Sequence, residues 1–388
     1  MVTTRREFIG HAAGFGVMLG AGVPLLQACG GDDDTGGGAV TDAIDDGLEP
    51  EAGPLRVYNY ADYVNPDTVA AFEAQYGVTV EITTFDVDAE AITKLANGSV
   101  DVDVHNSAAP NTLDRLIAGG LLQPLNKSYL TNFSNVLPSF TSPWYDEGST
   151  YTVPYTVFSS GIAYRSDRID PAKVEEMGWD ILWDPAHQGV TSILDDYREG
   201  ISMALLRRGI TDVNTTDTAQ IEQAGADLAE LVDLMNIKVN IEAYKDIPEG
   251  ATDLAHTWSG DMLAGVWYMP EGTDASVLGW WYPPDGVGVV NNDCMAVTAS
   301  AKNPVLAHLW INFLLDAANA EENFGWNGYL PPIQGLDADY LIENEYAPEN
   351  LRSAVLTDDI IGKGLRFEPL DTDTDRVWEE TWSRFTAG

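Results

Sequence analysis

Strand-like and helix-like patterns alternate along the chain. Residues 55–59 form a short β-prone run. Asn65 followed by Pro66 has the form of a helix cap with proline in the first turn. Val69, Phe72 and Tyr76 then recur at helical spacing, and Gly77 supplies a stop. Residues 78–83 are β-rich, 89–97 helical and 100–104 β-rich again. A βαβαβ series predicts a parallel sheet with helices on its faces, and such sheets place ligands beyond the carboxyl ends of their strands. The run Asn59-Tyr60-Ala61-Asp62-Tyr63 falls just past the first strand, where a binding loop belongs.

Later segments continue in the same way. Residues 195–208 and 218–235 read as helices, and 278–282 form an apolar run ahead of the turn Pro283-Pro284-Asp285-Gly286. Asn303-Pro304 repeats the cap-plus-proline pattern and opens a helix to residue 315. A last amphipathic helix covers 374–385, with Val377, Trp378, Trp382 and Phe385 on one face. No internal repeat or second low-complexity stretch breaks the body, so a second domain must be interleaved with the first.

The N-terminus has a different character. Arg5-Arg6 followed by Phe8 and Ile9 resembles a twin-arginine export signal. Residues 9–26 are apolar, rich in Gly and Ala, and free of charge. Their glycines and Pro24 make a poor membrane span and a good signal h-region. Leu26-Gln27-Ala28-Cys29-Gly30 resembles a lipobox, in which cleavage leaves Cys29 as the lipidated N-terminus. An uncleaved anchor with an incidental cysteine is the competing reading. Residues 1–28 are thus expected to be a signal peptide, and 29–53 an acidic Gly/Asp tether carrying eight acids and no cation.

With 388 residues there is room for two cores, and 45% apolar residues exclude general disorder. The net charge of −41 excludes nucleic acid as a partner, because phosphate backbones need a basic surface. Two cysteines exclude a disulfide framework, and Cys294 is expected to be a buried small hydrophobe. The five histidines show no HxH or HxxxH spacing, so no metal site or cofactor is expected. GxSxG, Walker A and GxGxxG motifs are absent, and an enzyme is not expected.

Several stretches, read together, resemble the spermidine/putrescine-binding proteins of ABC importers. These belong to the type II class of two-lobed periplasmic solute-binding proteins. The stretches are VYNYADYVNPDTVAAFEAQYGV, LTNFSN at 130–135, ILDDYREGISMALLRRG at 193–209, HTWSGDMLAG at 256–265, INFLLDAANAEENFGWNGYLPP and the terminal helix. The resemblance implies an α/β fold of interleaved lobes joined by hinge strands. Lobe 1 would be 54–158 with 293–338, and lobe 2 would be 159–292 with 339–388. It also implies a small cationic ligand, a polyamine, enclosed between the lobes; the alternatives are another small organic cation or solute on the same scaffold, or a sensory or scaffold lipoprotein. The partners implied are a permease and ATPase complex, for a monomer that is exported and held at the membrane by lipid on Cys29.

The same resemblance supplies site residues one by one. Tyr60, Asp62 and Tyr63 keep the aromatic–acid–aromatic order of the family's first loop. Asp196 and Glu199 match its Asp-x-x-Glu pair, and Trp258, Asp293 and Tyr329 match further ligand-facing positions. Glu368 sits near a position where the family carries Gln. Asn291 and the loop Ser107-Ala108-Ala109-Pro110-Asn111 depart from the family by lacking an aromatic. Carboxylates would hold ammonium groups, and aromatic faces would hold the methylene stem. Other readings stand beside these. Asp196 and Glu199 are spaced like a capping box. Trp258 and Tyr329 suit a core, Asp62 a turn, and Asp293 a hinge turn. Such a site needs only about four acids, so most of the acidity reads as solubility and a salt-rich habitat.

Overall fold

The computed structural model describes residues 42–86 and 88–387. The signal segment, Cys29 and the first part of the acidic stretch lie outside the described residues. Among the described residues, no helix is long and apolar enough to cross a membrane.

β1 (Leu55–Tyr60), β2 (Val80–Phe85) and β3 (Val104–Ala108) pair in parallel in the order β2-β1-β3, as the βαβαβ pattern predicts. Helix Pro66–Tyr76 begins where expected. The Asn65 side chain accepts the Asp67 N–H at 2.9 Å, and Gly77 ends the helix at φ 69°. β3 starts four residues later than the sequence indicated, because Asp103 serves as a junction. Its buried carboxylate accepts the N–H groups of Arg56, Lys302 and Asn303.

Asn303 precedes helix Pro304–Leu314 but does not cap it. Its side chain donates instead to Pro54 O and Asp103 Oδ2. Glu51 takes over, accepting the N–H groups of Val305 and Leu306 at 3.1 and 2.9 Å. Asn126 Nδ2 donates to Ile44 O, and Leu48 N donates to the Tyr129 hydroxyl. The acidic stretch expected to run loose to residue 53 is therefore held to the body over its last ten residues or so.

The remaining strands are β4 (Thr152–Arg165), β5 (Thr191–Ile193), β6 (Lys238–Val239), β7 (Leu254–Trp258), β8 (Leu278–Trp281) and β9 (Val290–Val297). The order is β2-β1-β3-β9-β4-β7-β5-β6, with β8 on β4. All fourteen residues of β4 are buried. From Thr152 to Ser159 it pairs with β9, and from Ser160 to Arg165 with β7 and β8. One strand thus belongs to two sheets and changes partners between adjacent residues.

One apolar cluster surrounds β1, β9 and helix Pro304–Leu314 and continues to Met262 and Leu278. A second gathers Ile162, Ile201, Leu228, Trp281, Trp378 and Trp382. The terminal helix Thr372–Thr386 buries Trp378, Trp382 and Phe385 in that second cluster, on the face the sequence indicated.

Candidate functional site

The loop after β1 turns sharply at Asp62, whose φ of 56° is one that Asp tolerates better than most residues. The Asp62 carbonyl accepts Trp326 Nε1 at 3.0 Å, which holds the turn, and its side chain lies at the exposed surface. The turn aims Tyr60 and Tyr63 to the same side, with ring centroids 5.8 Å apart and nearly perpendicular. Tyr60 also packs on Phe85 at 4.4 Å. Tyr63 meets the rings of Tyr155 at 5.2 Å and Tyr329 at 5.1 Å, edge to face.

Asp293 is drawn into this aromatic group from β9. It sits opposite Thr156 in the ladder and accepts the Tyr63 hydroxyl at 2.8 Å, while that hydroxyl also meets Thr156 Oγ1 at 2.6 Å. Asp293 is therefore a strand residue, not a turn residue. Burial, opposed by the Tyr63 bond, pushes its carboxyl up to about 7.

Asp196 caps helix Tyr197–Arg207, accepting the Glu199 N–H at 3.0 Å. The reciprocal half of a capping box is missing. Glu199 turns away, and its Oε1 accepts Trp258 Nε1 at 3.0 Å. Glu199 is only 3% exposed, and its Oε2 makes no well-formed hydrogen bond, although the side chains of Ser160 and Asn291 act on the carboxylate as donors. Burial first, and then the Asp196 charge, raise its carboxyl to about 7. Burial also raises Asp196. The end of β7 fixes Trp258 opposite Ser160, where its ring meets Phe158 at 6.0 Å. Phe158 also meets Tyr329 at 5.5 Å, so it bridges the two aromatics.

Tyr329 is positioned by Gly260. A β-carbon there would stand 2.5 Å from the tyrosine ring, so only glycine lets the ring lie against this helix start. The Tyr329 hydroxyl donates to Asp261 Oδ1 at 2.8 Å, and Thr257 Oγ1 bonds the other Asp261 oxygen. Burial lifts Asp261 to about 6 and Tyr329 well above the usual phenol range.

The structure thus brings Tyr60, Tyr63, Asp196, Glu199, Trp258, Asp293 and Tyr329 into one neighbourhood. Asp196 and Asp293 both act electrostatically on Tyr60. Asp62 and Glu368 stand apart. Glu368 is exposed, and its backbone is tied to Asn214 and Arg198. Two acids escaped the sequence reading, Asp261, which is buried, and Asp88, which is half-buried. Asp261 lies three residues after Trp258, a spacing that brings side chains to one side of a helix start. Asp88 opens the helix after β2, at the carboxyl edge of the parallel sheet where such groups collect. Among the described residues, no cluster of His, Cys, Asp and Glu is arranged to hold a metal ion. Cys294 is buried beside Asn292 and Tyr145, and its thiol is pushed up to about 12.

This architecture has many known counterparts. Residues 67–348 match the sequence profile of the bacterial extracellular solute-binding proteins. The spermidine/putrescine-binding periplasmic protein of Salmonella typhimurium is 31% identical over 345 residues, covering 86% of this chain and 92% of that protein. Its counterpart in Escherichia coli is 32% identical over 304 residues, covering 76% and 81%. Among solved structures, the spermidine/putrescine ABC transporter substrate-binding protein of Streptococcus pneumoniae superposes with a TM-score of 0.69 at 23% identity, covering 86% of this chain and 98% of that one. A Treponema pallidum lipoprotein gives 0.70 at 21% identity, covering 85% and 98%. The periplasmic-binding-protein fold expected from the sequence is the fold observed. With a profile spanning most of the body and relatives above 30% identity along most of its length, the chain belongs to the bacterial extracellular solute-binding protein family.

Proposed function

We propose that this protein is an exported binding protein that captures a linear polyamine between its lobes and delivers it to an ABC permease and its ATPase. The observation that carries the reading is Glu199. It is a carboxylate buried from water beside Asp196, with one oxygen held by an indole N–H and the other without a well-formed hydrogen bond, only the side chains of Ser160 and Asn291 acting on it as neutral donors. A buried charged acceptor without a well-formed bond is costly, and a ligand ammonium carries three donors and the opposite charge. Asp293 offers a second anionic end, and Tyr60, Trp258 and Tyr329 offer ring faces for the methylenes between. The names of the relatives support the same ligand class.

The lobes would divide as 54–158 with 293–338 and 159–292 with 339–388, closing about a hinge near 158–161 and 291–293. The change of partners along β4 between Ser159 and Ser160 supports that position. Lipid on Cys29 would hold the protein, a monomer, at the membrane. Intact-mass measurement of the mature protein is expected to start at a lipidated Cys29, and an unmodified N-terminus refutes the anchor.

Calorimetric titration with spermidine and putrescine tests the ligand. Binding is expected for the parent protein. Replacing Asp196→Asn and Glu199→Gln together is expected to cost at least about 2–5 kcal/mol, a loss of about 30-fold or more. Unchanged affinity in the double variant overturns the site, and a parent that binds neither amine overturns the ligand class.

A further inference from the structure

β9 presents its residues to alternate faces. Asp293 reaches the aromatic and acidic group through Tyr63, whereas the Asn292 side chain serves the other face, where its Nδ2 donates to the Tyr145 hydroxyl at 2.9 Å. A cavity of about 440 Å³ opens on that other face, with Asn292 and Tyr145 in its wall. None of the side chains gathered around Glu199 and Asp293 lines it. Its volume lies in the range of small-molecule pockets, about 300–1,000 Å³.

The walls come from two distant stretches of chain. Leu137, Phe140 and Trp144 precede β4, in expected lobe 1. Asp358, Ile361 and Arg366 precede the terminal helix, in expected lobe 2. Apolar surface dominates the wall. The Trp144 ring stands edge to face with Tyr145 at 5.4 Å, and it is 52% exposed. A large aromatic left open beside a cavity is a ready contact for an apolar molecule.

Arg366 carries the positive charge of this wall. Its Nη1 donates to Val290 O at 2.7 Å and its Nη2 to Ile361 O at 3.0 Å, and the guanidinium carbon stands 5.9 Å from the centre of the Phe140 ring. These bonds fix the fork without neutralising it. Among the described residues no carboxylate forms an ion pair with Arg366, and the ionisable groups that act on it are the phenols of Tyr145 and Tyr282. Asp358 shares the cavity but is exposed. The chain holds 61 acids against 20 Lys and Arg, so a half-buried arginine left without an acid is the exception. Burial works against its charge, and an anion in contact with it would offset that cost. The general negative charge of the chain is screened beyond about 8 Å, whereas a bound anion would touch the guanidinium. The planar fork of arginine matches a carboxylate through two parallel bonds.

We propose that this cavity is a second ligand site, for a small organic carboxylate with an apolar body. Arg366 takes the carboxylate, and Leu137, Phe140, Trp144 and Ile361 take the hydrocarbon. The assignment is independent of what the cleft on the opposite face of β9 binds.

Titration calorimetry with hydrocinnamate, hexanoate, the neutral amide of hydrocinnamate and inorganic phosphate tests it. The parent is expected to bind at least one of the two acids with a Kd below about 1 mM, and the amide and phosphate at least about tenfold more weakly. Arg366→Gln is expected to lose at least about tenfold in affinity for the acid. Trp144→Ala, at an exposed position, is expected to lose about threefold. A parent that binds neither acid overturns the proposal, as does an amide bound as tightly as its acid or an affinity unchanged in R366Q. Phosphate bound as tightly as the acids overturns it too, because the apolar walls would then contribute nothing. Should R366Q fail to fold for want of its bonds to Val290 and Ile361, W144A carries the test, and unchanged affinity for the acid in that variant overturns the proposal.

Discussion

Replacing Glu199 with Gln separates two opposite effects of one buried charge. In the ligand-free protein, burial and the nearby Asp196 lift the Glu199 carboxyl from its ordinary 4.5 to about 7. A carboxyl that holds its proton more tightly when folded makes the native state lose stability as pH rises between those two values. The penalty is absent near pH 4 and complete above about pH 7. At 1.36 kcal/mol per pH unit its ceiling is about 3 kcal/mol, and opening the cleft lowers it by letting water reach the group. Gln keeps an oxygen for Trp258 Nε1, now accepted at 3.0 Å, and carries no charge. E199Q is therefore expected to be more stable than the parent at pH 8 by about 1–3 kcal/mol, a rise in melting temperature of about 2–4 °C for a chain of this size. Near pH 4 the two proteins are expected to melt together. Ligand affinity moves the other way, falling by about 2–5 kcal/mol when the anionic partner of an ammonium is removed. Scanning calorimetry at both pH values, with a spermidine titration at pH 8, measures both effects. A variant that melts below the parent at pH 8, or that binds spermidine unchanged, refutes the reasoning.

Three further outcomes follow from the same geometry. Burial holds Glu199 and Asp293 near 7 and Asp88 and Asp261 near 6, and a bound cation favours their ionised forms. Affinity is expected to fall from pH 8 to pH 5, with proton release at pH 6.5 visible as buffer-dependent heats; a pH-independent affinity argues against cation capture. Arg115 pairs with Asp375 at 2.6 Å, and Tyr197 donates to the same carboxylate at 2.7 Å, which clasps expected lobe 1 to expected lobe 2. With Arg115 48% exposed, the pair is worth at most about 1 kcal/mol, so R115A is expected to release ligand up to about fivefold faster in stopped flow. Unchanged release contradicts the clasp. Gly260→Ala would force a β-carbon to 2.5 Å from the Tyr329 ring, and is expected to cost about 1–3 kcal/mol of stability and to weaken binding. Parent-like melting and binding would show that the ring yields freely.

The opening βαβαβ unit was legible because its helices carry punctuation and its strands stand apart from them. β4 was not, because all fourteen of its residues are buried and a strand covered on both faces loses its alternation. β9 was hidden for the opposite reason. Asn291-Asn292-Asp293 reads as a turn, yet each polar side chain has an internal partner. Asn291 accepts Phe367 N, Asn292 donates to Tyr145, and Asp293 accepts from Tyr63. The spacing of Asp196 and Glu199 disclosed the cap but not the diversion of Glu199, which depends on an indole 59 residues away. Asp88 and Asp261 belong to no local motif. Only the convergence of strand ends from distant parts of the chain gives Asp88 its partner Thr112 and Asp261 its partner Tyr329.

If the lobes close as proposed, an empty cleft must either take up protons or crowd like charges together, because burial already disfavours the ionised forms of Asp196, Glu199 and Asp293. An open cleft does neither. Shape and occupancy are thereby coupled through charge neutrality: the closed outline is cheap only when cations have entered with it. A permease that senses nothing but that outline would still receive a faithful report of loading, and an unloaded carrier would seldom trigger a wasted cycle of ATP hydrolysis.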